Sequence, residues 1–202
     1  MELIGMLDSP YVRRVAVTLR LIDLPFVHRP ISVFSTFPQF HAINPVVKAP
    51  TLVCDDGTTL MDSTLIIDHV ETLAGRSLMP ADPGERRRAL RLVGLGLAAC
   101  EKAVQIVYER RLRPSEKQHG PWLARVGDQL VAACTVLEAE LAARPLPVAT
   151  ATIDQAGVTA AVAWRFIREM VPDDVDALAH PALAEHSRQA ERLDAFVATP
   201  FA

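Results

Sequence analysis

The segment Ala74-Gly75-Arg76-Ser77-Leu78-Met79-Pro80-Ala81-Asp82-Pro83-Gly84 separates two kinds of sequence and limits the folds open to the chain. It is rich in Gly and Pro and has no hydrophobic period, which is how a domain boundary reads. Upstream, short β-prone runs alternate with helical patterns; downstream, every periodic stretch is helical. The chain is therefore read as an α/β domain over residues 1–75, a linker over 76–84 and an all-helical domain over 85–202.

In the first part, Glu2 to Met6 reads as a strand. Ser9-Pro10 then signals a helix start, with Ser9 as N-cap, and the helix runs to about Ile22. Phe26 to Ile31 reads as a second strand, parallel to the first by the β-α-β rule. A short helix and loops are expected from Ser32 to Asn44. Thr51 to Cys54 and Thr58 to Met61 form a hairpin around Asp55-Asp56-Gly57, and Ser63 caps a helix through Leu73. The order is β-α-β-α-β-β-α. After the linker, helices are expected over Glu85–Leu112, along the Leu123–Leu141 stripe, from a capping box Thr152-Ile153-Asp154-Gln155, and from Pro181 through Phe196. The third of these is apolar nearly all round from Ala156 to Ile167, the pattern of a buried central helix.

Composition excludes several classes. The net charge of −3 gives no basic bias toward nucleic acid or an acidic membrane. No apolar run approaches the ~20 residues of a membrane span. The arginine clusters Arg86-Arg87-Arg88 and Arg110-Arg111 with Arg113 read as solvated helix surface. The six histidines lack metal-ligand spacing, so no metal is expected. Cys54, Cys100 and Cys134 lack C-x-x-C pairing and read as free thiols in a reducing compartment. The first residues carry no basic n-region or long apolar run. A cytoplasmic location is the expectation. P-loop, dinucleotide and G-x-S-x-G fingerprints are all missing.

Three places carry chemistry. Pro50 stands before a β-prone run, where a proline cannot donate to a ladder and where a cis peptide is worth suspecting. A cis Ala49–Pro50 bond would turn the Ala49 backbone outward, toward a peptide-like ligand. Ser9 lies between the first strand and helix, over the carboxyl edge of the sheet, where open α/β sheets bind ligands. Its hydroxyl could stabilise a thiolate, although Ser-Pro is also an ordinary helix start. Asp62 and Ser63 open a helix. Together they suit an amino-acid end, the acid taking the ammonium and the helix end the carboxylate; an ordinary cap is again the alternative.

The motifs Ser9-Pro10-Tyr11-Val12-Arg13, Asn44-Pro45-x-x-Lys48-Ala49-Pro50, Asp62-Ser63, Leu78-Met79-Pro80, His180-Pro181-Ala182-Leu183 and Thr199-Pro200 together resemble the cytosolic glutathione S-transferases, in particular bacterial members with a Ser-type N-terminal motif. The resemblance spans essentially the whole chain. It implies a thioredoxin-like domain followed by a helical domain, glutathione as co-substrate, an electrophilic small molecule as its partner and a homodimer. It implies a cis Pro50, Ala49 pairing with the cysteinyl part of glutathione, Lys48 in the same clamp, Asp62 and Ser63 at the γ-glutamyl end, and Ser9 facing the sulfur. Tyr11, Val104, Tyr108 and Trp164 are the expected electrophile-pocket residues. The commoner family form is Asn-Pro-x-Gly-Lys-Val-Pro. Val47 in place of its glycine reads as a loop that needs no positive φ or that differs locally in shape.

The chemistry expected is transfer. Lowering a thiol pKa by about two units from ~8.5 takes roughly 2.7 kcal/mol of thiolate stabilisation. A charge-assisted hydrogen bond from Ser9 and a helix N-terminus could supply it. A serine cannot form a mixed disulfide, so thiol–disulfide exchange is disfavoured; Cys54 is read as an inward strand residue. Glutathione-dependent isomerisation or dehalogenation, and a non-catalytic interaction protein of the same fold, are the alternatives.

Overall fold

The computed structural model describes residues 1–202. The chain divides into two compact units, Met1–Leu78 with Leu193–Ala202, and Met79–Arg192.

The first unit is built on a sheet of strand order β2-β1-β3-β4. Strand β1 (Glu2–Ile4) pairs in parallel with β2 (Val27–Arg29) and antiparallel with β3 (Thr51–Val53), which pairs antiparallel with β4 (Thr59–Met61). Helix α1 (Pro10–Leu21) joins β1 to β2, α2 (Phe37–Ile43) joins β2 to β3, and α3 (Ser63–Ala74) follows β4. This is the thioredoxin-like β-α-β-α-β-β-α order. Leu3 and Leu52, opposite one another across β1 and β3, are fully buried. Ile4 points to the other face and packs with Ile31 and Phe40. Burying a side chain of this size contributes about 1.5–3 kcal/mol.

Each strand is three residues long, shorter than the apolar runs suggest. Strand β1 stops at Gly5, whose φ is +139° and where a Cβ would lie 2.6 Å from Val12 Cγ2. Only glycine lets the chain leave the sheet so close to α1. Cys54 falls outside β3, contrary to its reading as a strand residue, because its N–H already closes the hairpin onto Thr58 O at 2.9 Å.

In the second unit, α4 (Pro83–Leu112) packs on α5 (Gly120–Ala143) and α6 (Gln155–Met170), and α7 (Pro181–Ala190) packs on α5 and α6. Helix α4 starts two residues before Glu85 because the Asp82 carboxylate accepts from Gly84 and Glu85 N–H, both at 2.9 Å, with Pro83 as first residue. Every residue of α6 from Gln155 to Trp164 is buried, as its apolar surround implies. Gly96 of α4 permits the approach: a Cβ there would meet Thr159 Cγ2 at 2.8 Å.

Two helix boundaries differ from the sequence reading. The Thr152 capping box does not form. Asp154 is the N-cap instead, accepting from Gly157 N–H at 2.8 Å, while Ile153 is buried just ahead of it. The expected final helix breaks after Ala190 and resumes as the single turn α8 (Asp194–Val197), which belongs to the first unit. Residues 85–202 are therefore not one body. Arg13 of α1 donates through Nε to Thr199 O at 2.8 Å and lies 5.7 Å from the Phe196 ring centre. Among the arginine clusters, Arg88 donates to Glu140 O and Arg144 O, Arg113 pairs with Glu109, and Arg110 holds Asp174 with two bonds of 2.5 and 2.8 Å. No helix is long and apolar enough to cross a membrane.

Candidate functional site

Strand register brings the expected site residues to one edge of the sheet. Ile4, Thr51 and Met61 are aligned across β1, β3 and β4. Ser9 follows the end of β1, Ala49-Pro50 precedes the start of β3, and Asp62-Ser63 follows the end of β4. All three segments therefore leave the sheet at the same end.

The Ala49–Pro50 peptide is cis. Pro50 is buried, Ala49 half-buried and Lys48 exposed. The Ala49 N–H and C=O enter no backbone–backbone hydrogen bond. Ala49 Cβ would stand 3.3 Å from a Cβ built on Gly5, so the loop lies directly against the β1–α1 turn. The loop is riveted from beneath by Asn44, which is 4% exposed. Its Nδ2 donates to Thr51 Oγ1 at 2.9 Å, its Oδ1 accepts from Val46 N–H at 3.0 Å, and Thr51 Oγ1 donates to Lys48 O at 2.7 Å. Asn44 appears in the motif, but its inward role is set by partners the spacing does not reveal.

Ser9 is the N-cap of α1 and half-buried; its Oγ accepts from Val12 N–H at 3.4 Å, a long and weak bond. Accepting leaves the O–H hydrogen to donate elsewhere. Asp62, not Ser63, is the N-cap of α3. It sits at φ 72°, ψ 125° and accepts from Thr64 N–H at 2.9 Å through Oδ1. That conformation is rare for a side-chain-bearing residue and costs about 1–3 kcal/mol. Ser63 is the first helical residue and 3% exposed. Its hydroxyl accepts from Arg14 Nη1 at 3.2 Å, and the same nitrogen reaches Thr64 Oγ1 at 3.1 Å. Arg14 and Thr64 had no signal in sequence: nothing local shows that a residue in α1 turns toward α3.

Residues 3–92 match the glutathione S-transferase N-terminal domain family. A solved glutathione transferase family member from Pseudomonas fluorescens Pf-5, with bound S-(propanoic acid)-glutathione, is 29% identical. It superposes with a TM-score of 0.84 over 98% of this chain and 97% of its own. A glutathione S-transferase from Methylobacterium radiotolerans, in complex with glutathione sulfonate, is 25% identical with a TM-score of 0.89 over 100% and 95% of the two chains. The uncharacterized GST-like protein YibF of Escherichia coli is 27% identical over 85% of each chain. The family model thus covers the first part of the chain, and the likeness to glutathione transferase structures runs along essentially its whole length.

The loop residue Val47 corrects the sequence reading. It takes a φ of +53°, so the positive φ suited to the glycine of the commoner family form is kept by a valine. Its side chain packs against the Ile4, Ile31 and Phe40 cluster, which holds it there. Of the expected pocket residues, Tyr11 is half-buried at the start of α1, and Val104 and Tyr108 lie on α4 half-buried and exposed respectively. Trp164 is 4% exposed. It packs with its ring centre 5.6 Å from that of His180 and with Arg168 over it. It is a core residue of the helical unit.

Of the three thiols, Cys54 stands at the other end of its strand from that sheet edge. Cys54 follows the opposite end of β3, 3.8 Å from His69 Nε2, and burial and Asp56 hold its thiol above the ordinary value. Cys134 is pushed up to about 12 by burial alone. No group of His, Cys, Asp or Glu is arranged to hold a metal ion.

Proposed function

We propose that this chain is a glutathione transferase whose glutathione lies along the sheet edge formed by Ser9, Lys48-Ala49-Pro50 and Asp62-Ser63. The observation that carries the reading is the convergence there of two capped helix N-termini on either side of a backbone segment outside the ladder. A γ-linked tripeptide offers what such an edge accepts. Its central amide pairs with the Ala49 backbone, and its amino-acid end meets Asp62 and the first turn of α3. Its glycyl carboxylate suits the exposed Lys48 ammonium.

The thiol then lies at Ser9. The Ser9 O–H donates to the sulfur, and the N-terminus of α1 adds a field favouring negative charge. The thiolate attacks an electrophilic carbon, the C–S bond forms as the leaving group departs or the double bond takes up the pair, and glutathione leaves as a thioether. The homodimer belongs to the same proposal: Phe34, Phe37 and Leu65 leave apolar surface on the first unit, and light scattering on the purified chain tests it.

Glutathione at about 100 times its Kd should raise unfolding free energy by roughly 2.7 kcal/mol. Ser9→Ala should preserve that shift while lowering turnover of an aryl halide at least about tenfold. Full turnover in Ser9→Ala would remove the serine from catalysis, and no shift in the wild type would favour a non-catalytic protein that has lost the ligand.

A further inference from the structure

Two adjacent arginines of α1 are buried, Arg13 at 1% and Arg14 at 3% exposure. Arg13 is accounted for by the C-terminal segment, through Thr199 O and Phe196. Arg14 turns instead to the first turn of α3, where one nitrogen, Nη1, lies 3.2 Å from Ser63 Oγ and 3.1 Å from Thr64 Oγ1.

The chemistry of that contact has a fixed direction. A guanidinium has five N–H donors, no acceptor, and does not lose its charge in a protein. Ser63 and Thr64 must therefore both accept from it, and each hydroxyl keeps its single hydrogen to direct elsewhere. Thr64 stands exposed, and its backbone N–H is already committed to Asp62 Oδ1. Arg14 and Ser63 lie buried beneath this turn and Thr64 stands exposed on it, so the turn sets O–H groups above a buried positive charge, an arrangement that matches a carboxylate and not an ammonium or a carboxamide N–H. Asp62, one residue earlier, keeps its second carboxylate oxygen for a cation.

We infer that Arg14 is a positioning residue that fixes the Ser63 and Thr64 hydroxyls as outward donors, so that this turn selects the α-carboxylate of the γ-glutamyl group. The inference rests on the glutathione reading above and assigns the orientation of the amino-acid end within it. Arg14 touches the hydroxyls, not the reacting sulfur, so it acts on recognition and leaves the chemical step alone.

The test compares two thiols on the full chain, glutathione and its γ-aminobutyryl analogue, which lacks only that carboxylate. Turnover of one electrophile is followed with each. The wild type should favour glutathione in KM by at least about tenfold, the scale of a lost charge-assisted hydrogen bond. Arg14→Met should raise the KM for glutathione until the preference falls below about threefold, with kcat at saturation and the analogue's KM little changed. Arg13→Met serves as control and should lower Tm while leaving the preference intact. If Arg14→Met does not fold, Arg14→Lys, a cation that reaches one hydroxyl at a time, should show an intermediate preference. An unchanged preference in a folded Arg14 variant, or equal weakening of both thiols, overturns the role. A wild type that binds glutathione without preferring it also overturns the role alone, whereas a wild type that binds neither thiol overturns the glutathione reading and this inference with it.

Discussion

At the scale of single residues, the site edge departs from ordinary backbone at two positions that carry side chains, Val47 at φ +53° and Asp62 at φ +72°. Asp62 offsets part of its cost by capping α3. Val47 has no such bond; its compensation is contact with the Ile4, Ile31 and Phe40 cluster. This sets up a reversal of the usual ranking of small residues. Val47→Ala loses both γ-methyls and Val47→Gly the β-carbon as well, but only glycine is relieved of the left-handed penalty of about 1–2 kcal/mol, which outweighs that one further carbon at a half-buried site. Val47→Gly should therefore be the more stable of the two by about 1 kcal/mol in urea melts, although glycine is normally the weaker residue. An alanine variant equal to or more stable than the glycine variant would contradict the account. Ser9 as a cap and Pro50 as the strand-mouth proline were legible because their chemistry is local, whereas the cap of α3 fell to Asp62 and not to Ser63. Val47 was misread because local preference argues against a positive φ for a β-branched side chain, and only packing from distant chain segments imposes it.

At the scale of elements, the order of strands and helices followed from periodicity and turn residues, while their ends followed from side-chain partners. Thr152 and Asp154 compete to cap α6, and Asp154 wins because its carboxylate reaches Gly157 N–H while Ile153 is drawn into the core. Gly157 also receives the other end of that interaction: its carbonyl accepts from His186 Nε2 of α7 at 2.9 Å. Burial lowers the His186 pKa below the ordinary 6.5, against smaller opposing effects of the Gly157 bond and Asp154. The folded chain thus holds fewer protons at this site than the unfolded chain. Its contribution to stability is full above about pH 6.5 and is lost as pH falls from there toward the lower folded value. Between about pH 7.5 and 5.5 the wild type should lose up to roughly 1 kcal/mol more stability than His186→Gln, read from urea midpoints at each pH. Parallel pH dependence of the two proteins would show that His186 is not the buried, neutral group described.

At the scale of the whole molecule, the linker marked the change from α/β to helical sequence, but not the return of the last ten residues to the first unit. That return depends on Arg13 and Thr199, which are 186 positions apart, and no pattern within either segment announces it. The same holds for Arg14 and Ser63. What spacing could locate was the sheet edge; what it could not locate were the buried side chains that brace it. The central proposal is that this edge holds glutathione with its sulfur at Ser9. Spectrophotometric titration of the thiolate of bound glutathione tests it most directly. The midpoint should fall about two units below the ~8.5 of the free thiol, and Ser9→Ala should return it most of the way. A midpoint that does not move when glutathione binds, or that moves equally without the Ser9 hydroxyl, would contradict the claim.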